Sequence, residues 1–115
     1  MHKITTVEDG KVYDIELTRG DSLLLTVAMQ KNKQAYTPVE GETVRFAMKY
    51  KYKDPDTTAL VVDIPIDTLI LEIKPEDTKP FAMEKTYFYD IELTDINGRV
   101  DTFIEGKFTL TGEVL

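Results

Sequence analysis

Arg19-Gly20-Asp21-Ser22, inside the stretch LTRGDSLLLTV (Leu17 to Val27), is the tetrapeptide that integrins read in adhesion ligands. Its middle residues are also turn formers, because glycine tolerates positive φ and aspartate bonds the backbone ahead of it. Strand-like sequence crowds the tetrapeptide on both sides, whereas an adhesive loop stands at a protruding tip. The expectation is a turn. Lys49 to Lys53 (KYKYK) interleaves base and aromatic as single-strand nucleic-acid binders do. On a strand that alternation sends the tyrosines one way and the lysines the other, leaving the lysines as a solvated face. A formal net charge of −7 also opposes general nucleic-acid binding, which needs clustered positive charge.

Asp14 with Glu16, and Asp90 with Glu92, are carboxylate pairs of the type a glycosidase uses. Alternation places all four on exposed strand faces, with no cleft evident around them. Asp95 to Asp101 (DINGRVD) carries calcium-type ligands without the twelve-residue spacing or the closing glutamate of such a loop. His2 is the only histidine, there is no cysteine, and no nucleophile–base spacing is visible. These residues predict a chain without catalytic residues, bound metal or cofactor. Tyr50, Tyr52, Lys49 and Lys51 remain as the expected partner-facing surface. A ligand platform of Tyr50, Tyr52, Tyr87 and Tyr89 is the rival reading, provided some of these tyrosines face solvent.

The elements that must position these residues are strands. In KVYDIELT, Tyr13, Ile15 and Leu17 share one face and Asp14 and Glu16 the other. SLLLTVAM reads as a more buried strand, with Leu24 among the core residues. TVRFAMKYKY sets Val44, Phe46, Met48, Tyr50 and Tyr52 on one face and Arg45, Lys49 and Lys51 opposite. ALVVDI and TLILEI are short strands separated by Pro65-Ile66-Asp67. KPEDTKPF is confined by its prolines to about one helical turn, near Pro75–Lys79. TYFYDIELT and RVDTFIEGKFTLTGEVL follow, joined by the hairpin signal Asn97-Gly98, and Gly106 marks a bulge or a bend. The hexapeptide YDIELT occurs at Tyr13–Thr18 and again at Tyr89–Thr94. Its flanks diverge, so two strands with the same need have reached the same solution.

With 115 residues the chain is long enough for one core, and residues 1–115 are expected to form a single domain. Residues 1–11 would make a partly ordered arm or an edge strand. Seven to nine short strands with frequent turn signals predict an all-β, antiparallel β-sandwich of immunoglobulin-like type. LILEIKPEDTKPFAMEKTYFYDIEL supplies the order found at the corner of such domains: strand, helical turn, tyrosine-bearing strand. That topology sets Thr43–Tyr52 beside Thr86–Thr94, bringing Arg45 and Lys49 toward Asp90 and Glu92, with Ala47 between the two bases. No apolar run reaches signal-peptide or membrane-span length.

The order of these segments resembles the N-terminal immunoglobulin-like domains of tailed-phage and prophage virion proteins, of the baseplate-upper-protein type. The resemblance rests on Arg19-Gly20-Asp21 between the first strands and on Gly41, Val44 and Phe46 in the next. It continues through the tyrosine strand, which runs by Asn97-Gly98 into the closing strand, Tyr87 to Val114. It implies a non-catalytic assembly module that contacts virion subunits or itself, while the net charge of −7 and the lack of a long apolar run lead to the expectation of neither nucleic acid nor membrane as partner. Its place would be the virion, or the host cytoplasm during assembly. Such domains precede a fibre or receptor-binding part, so this chain is expected to be a stand-alone subunit or an excised domain. A carbohydrate- or ligand-binding β-sandwich module is the alternative.

Overall fold

The computed structural model describes residues 13–31 and 34–114, together with the backbone of the strand at residues 5–8. His2 and Val12 lie outside the described residues, as does most of the expected N-terminal arm. The strands are β1 (Thr5–Glu8), β2 (Ile15–Thr18), β3 (Leu23–Ala28), β4 (Gln30–Lys31), β5 (Gln34–Ala35), β6 (Thr43–Lys49), β7 (Leu60–Ile64), β8 (Ile70–Ile73), β9 (Lys85–Thr94) and β10 (Val100–Thr111). One helical turn, α1 (Pro75–Thr78), precedes β9, where two prolines allow no more. With 52% strand against 7% helix among the described residues, the chain is mostly β and fits the all-β class. The ten strands among the described residues exceed the seven to nine expected, because the two-residue hairpin β4–β5 carries no apolar alternation to announce it.

A five-stranded sheet has the order β2-β10-β9-β6-β7, and a three-stranded sheet, β1-β3-β8, curls as a half-barrel. Two pairings correct the expectation of a wholly antiparallel fold: β1 with β3 and β2 with β10 are parallel. Between β1 and β2 the chain passes from one sheet to the other, so β2 meets the last strand instead of its own neighbour. A parallel pair needs a long connection, and the rest of the chain supplies it.

Leu23, Leu25, Val27, Leu71 and Ile73 from the smaller sheet close one core with Leu17, Phe46, Met48, Tyr89, Ile91, Leu93, Phe108 and Leu110 from the larger. Leu24 is not among them. Three consecutive leucines leave the parity of the strand open, and pairing with β8 turns Leu24 away, opposite Glu72. Tyr13 and Ile15, just before and at the start of β2, are half-buried because β2 is an edge of the five-stranded sheet. Asp90 and Glu92 are half-buried rather than exposed, because β9 is flanked on both sides by β6 and β10.

The hairpin at Asn97-Gly98 forms, with Gly98 at φ 81° and the Asp95 carboxylate accepting from the backbone N–H groups of Asn97 and Arg99. The bulge in β10 sits between Thr102 and Ile104, not at Gly106, and it lets Phe103 and Ile104 both enter the core. Gly106 has another reason to be glycine. A Cβ there would lie 1.9 Å from the carbonyl oxygen of Tyr13, whose chain crosses directly over it.

The β6–β9 register brings together the residues expected from alternation: Phe46 faces Ile91, Met48 faces Tyr89, Arg45 faces Glu92 and Ala47 faces Asp90. Arg45 and Glu92 form an ion pair across the strands. Lys49 does not join it; it is opposite Phe88 and turns to Asp56 and the Asp54 carbonyl instead. A double-mutant cycle on Arg45 and Glu92 is therefore expected to show coupling of about 0.2–1 kcal/mol that weakens with salt. The same cycle on Lys49 and Glu92 should show none.

Candidate functional site

The RGD segment is a turn joining β2 to β3, strands of different sheets. The Asp21 N–H donates to the Thr18 carbonyl (3.0 Å) and the Gly20 N–H to the Thr78 hydroxyl (2.8 Å). The Arg19 guanidinium pairs with Glu113 (2.6 Å) and donates to the Lys79 carbonyl, while Lys79 holds the other Glu113 oxygen at 2.7 Å. Lys79 first, with Arg19, holds the Glu113 carboxyl below the usual glutamate range. Arg19 thus ties the turn to the end of α1 and to the chain beyond β10, although its Nε is buried without a partner among the described residues. An arginine held this way is not presented to a receptor. Arg19→Ala is expected to lower Tm by a few degrees and to leave cell adhesion at background.

Past Lys49 the chain leaves β6 and turns back at once, so the alternation expected through Tyr52 stops at Tyr50. The Lys51 N–H donates to the Asp54 carboxylate (3.0 Å), and Lys49 reaches the Asp54 carbonyl (3.1 Å) and the Asp56 carboxylate. A 3₁₀ turn at Asp56–Thr58 closes the loop before β7. The Asp56 carboxyl is held below the usual aspartate range by its hydrogen bond and charge attraction to Lys49. Lys49 is thus a tether for this loop, while Lys51 is exposed.

Tyr50 and Tyr52 consequently go opposite ways. Tyr50 packs edge-on against Tyr87 (5.9 Å between centroids), beneath the Lys85 ammonium at 4.3 Å. Tyr52 stacks on Phe88 at 4.7 Å. Tyr87 and Phe88 are successive residues of β9 and point to opposite faces of the sheet. The four-tyrosine platform is not formed: Tyr87 and Tyr89 are each only 3% exposed. Their hydroxyls donate to the carbonyls of Ala82 (2.9 Å) and Tyr13 (2.7 Å). Burial pushes both phenols above the usual tyrosine value, Tyr89 furthest.

Two depressions flank the loop. One, of 310 Å³, lies between Tyr50, Phe81 and Tyr87 and is edged by Asp54, Pro80 and Lys85. The other opens on the outer face of the five-stranded sheet, where Ala47 leaves a gap between Arg45 and Lys49. It measures 220 Å³, has Asp90 and Glu92 on one side and Val61 on the other, and shares Ala47, Lys49 and Asp90 with a hollow under Tyr52 and Phe88. Phe81, Phe88 and Lys85 were not singled out by sequence reasoning. Phe88 had a signal: it is the aromatic at an outward position of TYFYDIEL, where alternation calls for a polar residue.

Asp90 is the unusual group here. Burial, then the neighbouring Glu92 and Glu105 carboxylates, push its carboxyl above the usual aspartate value, against the pull of Arg45 and Lys49. Its folded pKa being the higher, the folded chain binds more protons, and stability falls as pH rises from the ordinary aspartate value through the raised one. Asp90→Asn is therefore expected to raise Tm near neutral pH by about a degree or two, an effect reduced by solvent screening. The difference should vanish in acid, as Tm measured against pH for both proteins will show.

Asp14 accepts from the Lys107 N–H (3.1 Å), and the Asp95 carboxyl is held below the usual range by the backbone N–H groups of its own turn. Among the described residues no three His, Cys, Asp or Glu side chains come together as metal ligands would. Among the same residues no helix is long and apolar enough to cross a membrane. Fold and site together define a mostly-β chain with one pinned aromatic loop set between two shallow depressions. No family model matches the chain, and no curated protein matches it.

Proposed function

We propose that the chain is an immunoglobulin-like β-sandwich serving as a non-catalytic assembly module of a phage or prophage virion, in a baseplate, tail or decoration role, through protein–protein contacts. The observation that carries the contact role is Tyr52, 74% exposed yet held flat against Phe88 on a loop that Lys49 pins. Rigid exposed aromatics are the usual anchors of protein interfaces, because they bury large area at little entropic cost. The immunoglobulin-like part is supported by the adjacency of β6, β9 and β10, which matches strands C, F and G of that fold, with β3 and β8 in the other sheet as B and E. The Tyr87 hydroxyl reaching back to the Ala82 carbonyl is what a tyrosine corner does. Tyr89, two residues on, occupies the place of the second sandwich cysteine and stacks on Phe46 at 5.6 Å. The parallel β1–β3 pair departs from that pattern. The virion role itself rests on the resemblance of the ordered segments.

Gradient-purified particles from a producing host test the reading. The chain should sediment with intact particles, in fixed ratio to their major subunits. A chain that stays at the top of the gradient while infectious particles form would overturn the virion role.

A second reading, a carbohydrate- or ligand-binding module, is favoured by the Tyr50–Phe81–Tyr87 depression. Glycan binding on an array, lost in Tyr50→Ala, would establish it; an empty array would remove it.

A further inference from the structure

We propose that the depression over Ala47 receives an arginine side chain of a partner protein, its guanidinium paired with the Asp90 carboxylate and lying against the Tyr52 ring. This rests on the docking role proposed above and names the chemistry of the partner.

Asp90 is the half-buried carboxylate of this face that has no ion pair among the described residues; Asp63 and Glu105 have none there either, but are exposed. Arg45 is paired with Glu92, and Lys49 with Asp56 and the Asp54 carbonyl. Asp90, between them, has no hydrogen-bond donor among the described residues. Its register neighbours are Ala47, which offers nothing polar from its side chain, and Glu105, a second carboxylate. Like charges directly opposite on neighbouring strands repel, and the two cations flanking Asp90 are each already paired elsewhere, Arg45 with Glu92 and Lys49 with Asp56, so a further cation from outside would relieve the repulsion. The Ala47 gap makes room for it, since any longer residue there would cover Asp90.

Three features select arginine. The Tyr52–Phe88 stack borders the same hollow as Asp90 and presents an exposed ring. A guanidinium is flat, stacks on such a ring and binds a carboxylate through two N–H groups, whereas an ammonium is a strongly hydrated point charge. The charge of the chain, −7, and the further acids Asp63 and Glu105 on this face complement a basic partner.

The test is an amide-resolved NMR titration of the full chain with N-acetyl-arginine methylamide. The probe should shift the Ala47, Tyr52, Phe88 and Asp90 amides in a saturable way. Binding should weaken at least tenfold in Asp90→Asn, weaken severalfold in Tyr52→Ala and be unchanged in Glu16→Gln, with each spectrum reporting that its variant is folded. The citrulline analogue, equal in shape but uncharged, should leave those amides unmoved. Equal shifts from citrulline, from N-acetyl-lysine methylamide or from maltose would overturn the proposal, as would an undiminished response in Asp90→Asn. Shifts of equal size at Asp14 and Glu16, at the far edge strand β2, would also overturn it, by showing diffuse attraction alone. Failure here, with the chain still sedimenting with particles, would remove the arginine site and leave the assembly role standing.

Discussion

Ile91→Asp is expected to leave no cooperative unfolding transition at room temperature. Ile91 is 0% exposed at the middle of β9, facing Phe46 on β6 and Ile104 on β10. A carboxylate at that point has no cation within the core to pair with, and it costs several kcal/mol either as an unpaired buried charge or, once protonated, as an unsatisfied polar group. A domain of this size has only about 5–15 kcal/mol of total stability, so the loss consumes most or all of it. Circular dichroism against temperature is the measurement, with two controls. Ile91→Val should lose about 0.5–1.5 kcal/mol. Ile15→Asp, in the same hexapeptide but on the sheet edge, should still fold, because its carboxylate can reach water. A cooperative melt of Ile91→Asp near the parent temperature would contradict the placement of β9.

Gly106→Ala is the second large effect. The added methyl would meet the Tyr13 carbonyl oxygen at 1.9 Å and its carbon at 2.8 Å, both backbone atoms, so the crossing chain has to lift away. Lifting it breaks the bond from the Tyr13 N–H to the Glu105 carbonyl and takes the acceptor from the Tyr89 hydroxyl. Overpacking of this kind costs about 1–3 kcal/mol, and a buried hydroxyl left unsatisfied costs about as much again. The combined loss should come to about 3–5 kcal/mol in denaturant unfolding. Gly98→Ala is the comparison. Nothing lies within 4 Å of a Cβ there, and its positive φ alone should cost about 1–2 kcal/mol. Equal losses for the two variants would mean that Tyr13 does not press on Gly106.

Most strands were legible because their chemistry is local. A side chain on a strand faces in or out by parity, so Phe46, Met48, Leu71, Tyr89, Ile91 and Leu93 could be placed in the core without knowing what they touch. The same holds for the helical turn, which its prolines bound, and for the Asn97-Gly98 hairpin, which needs a positive φ that glycine allows. The site was legible in composition only. Tyr50 and Tyr52 were visible as aromatics, but the end of β6 at Lys49 sends them to opposite faces, and where a strand ends depends on pairing with a neighbour. Leu24 failed for a related reason, since LLL has no parity of its own until β8 supplies a register.

The two copies of YDIELT draw the line most sharply. In both, the sequence by itself determined a strand with Ile and Leu on one face and Asp and Glu on the other. Tertiary structure alone decided that the first copy lies at an edge and the second between two strands. Ile15 is therefore half-buried where Ile91 is sealed, and Asp14 is exposed and bonded to the Lys107 N–H where Asp90 is half-covered and has no donor among the described residues. The same tyrosine gives the Tyr13 carbonyl in one copy and the Tyr89 hydroxyl that binds it in the other. Alternation is a property of adjacent residues and is written in six letters. Depth and partnership depend on which strands come to either side, and those arrive from elsewhere in the chain.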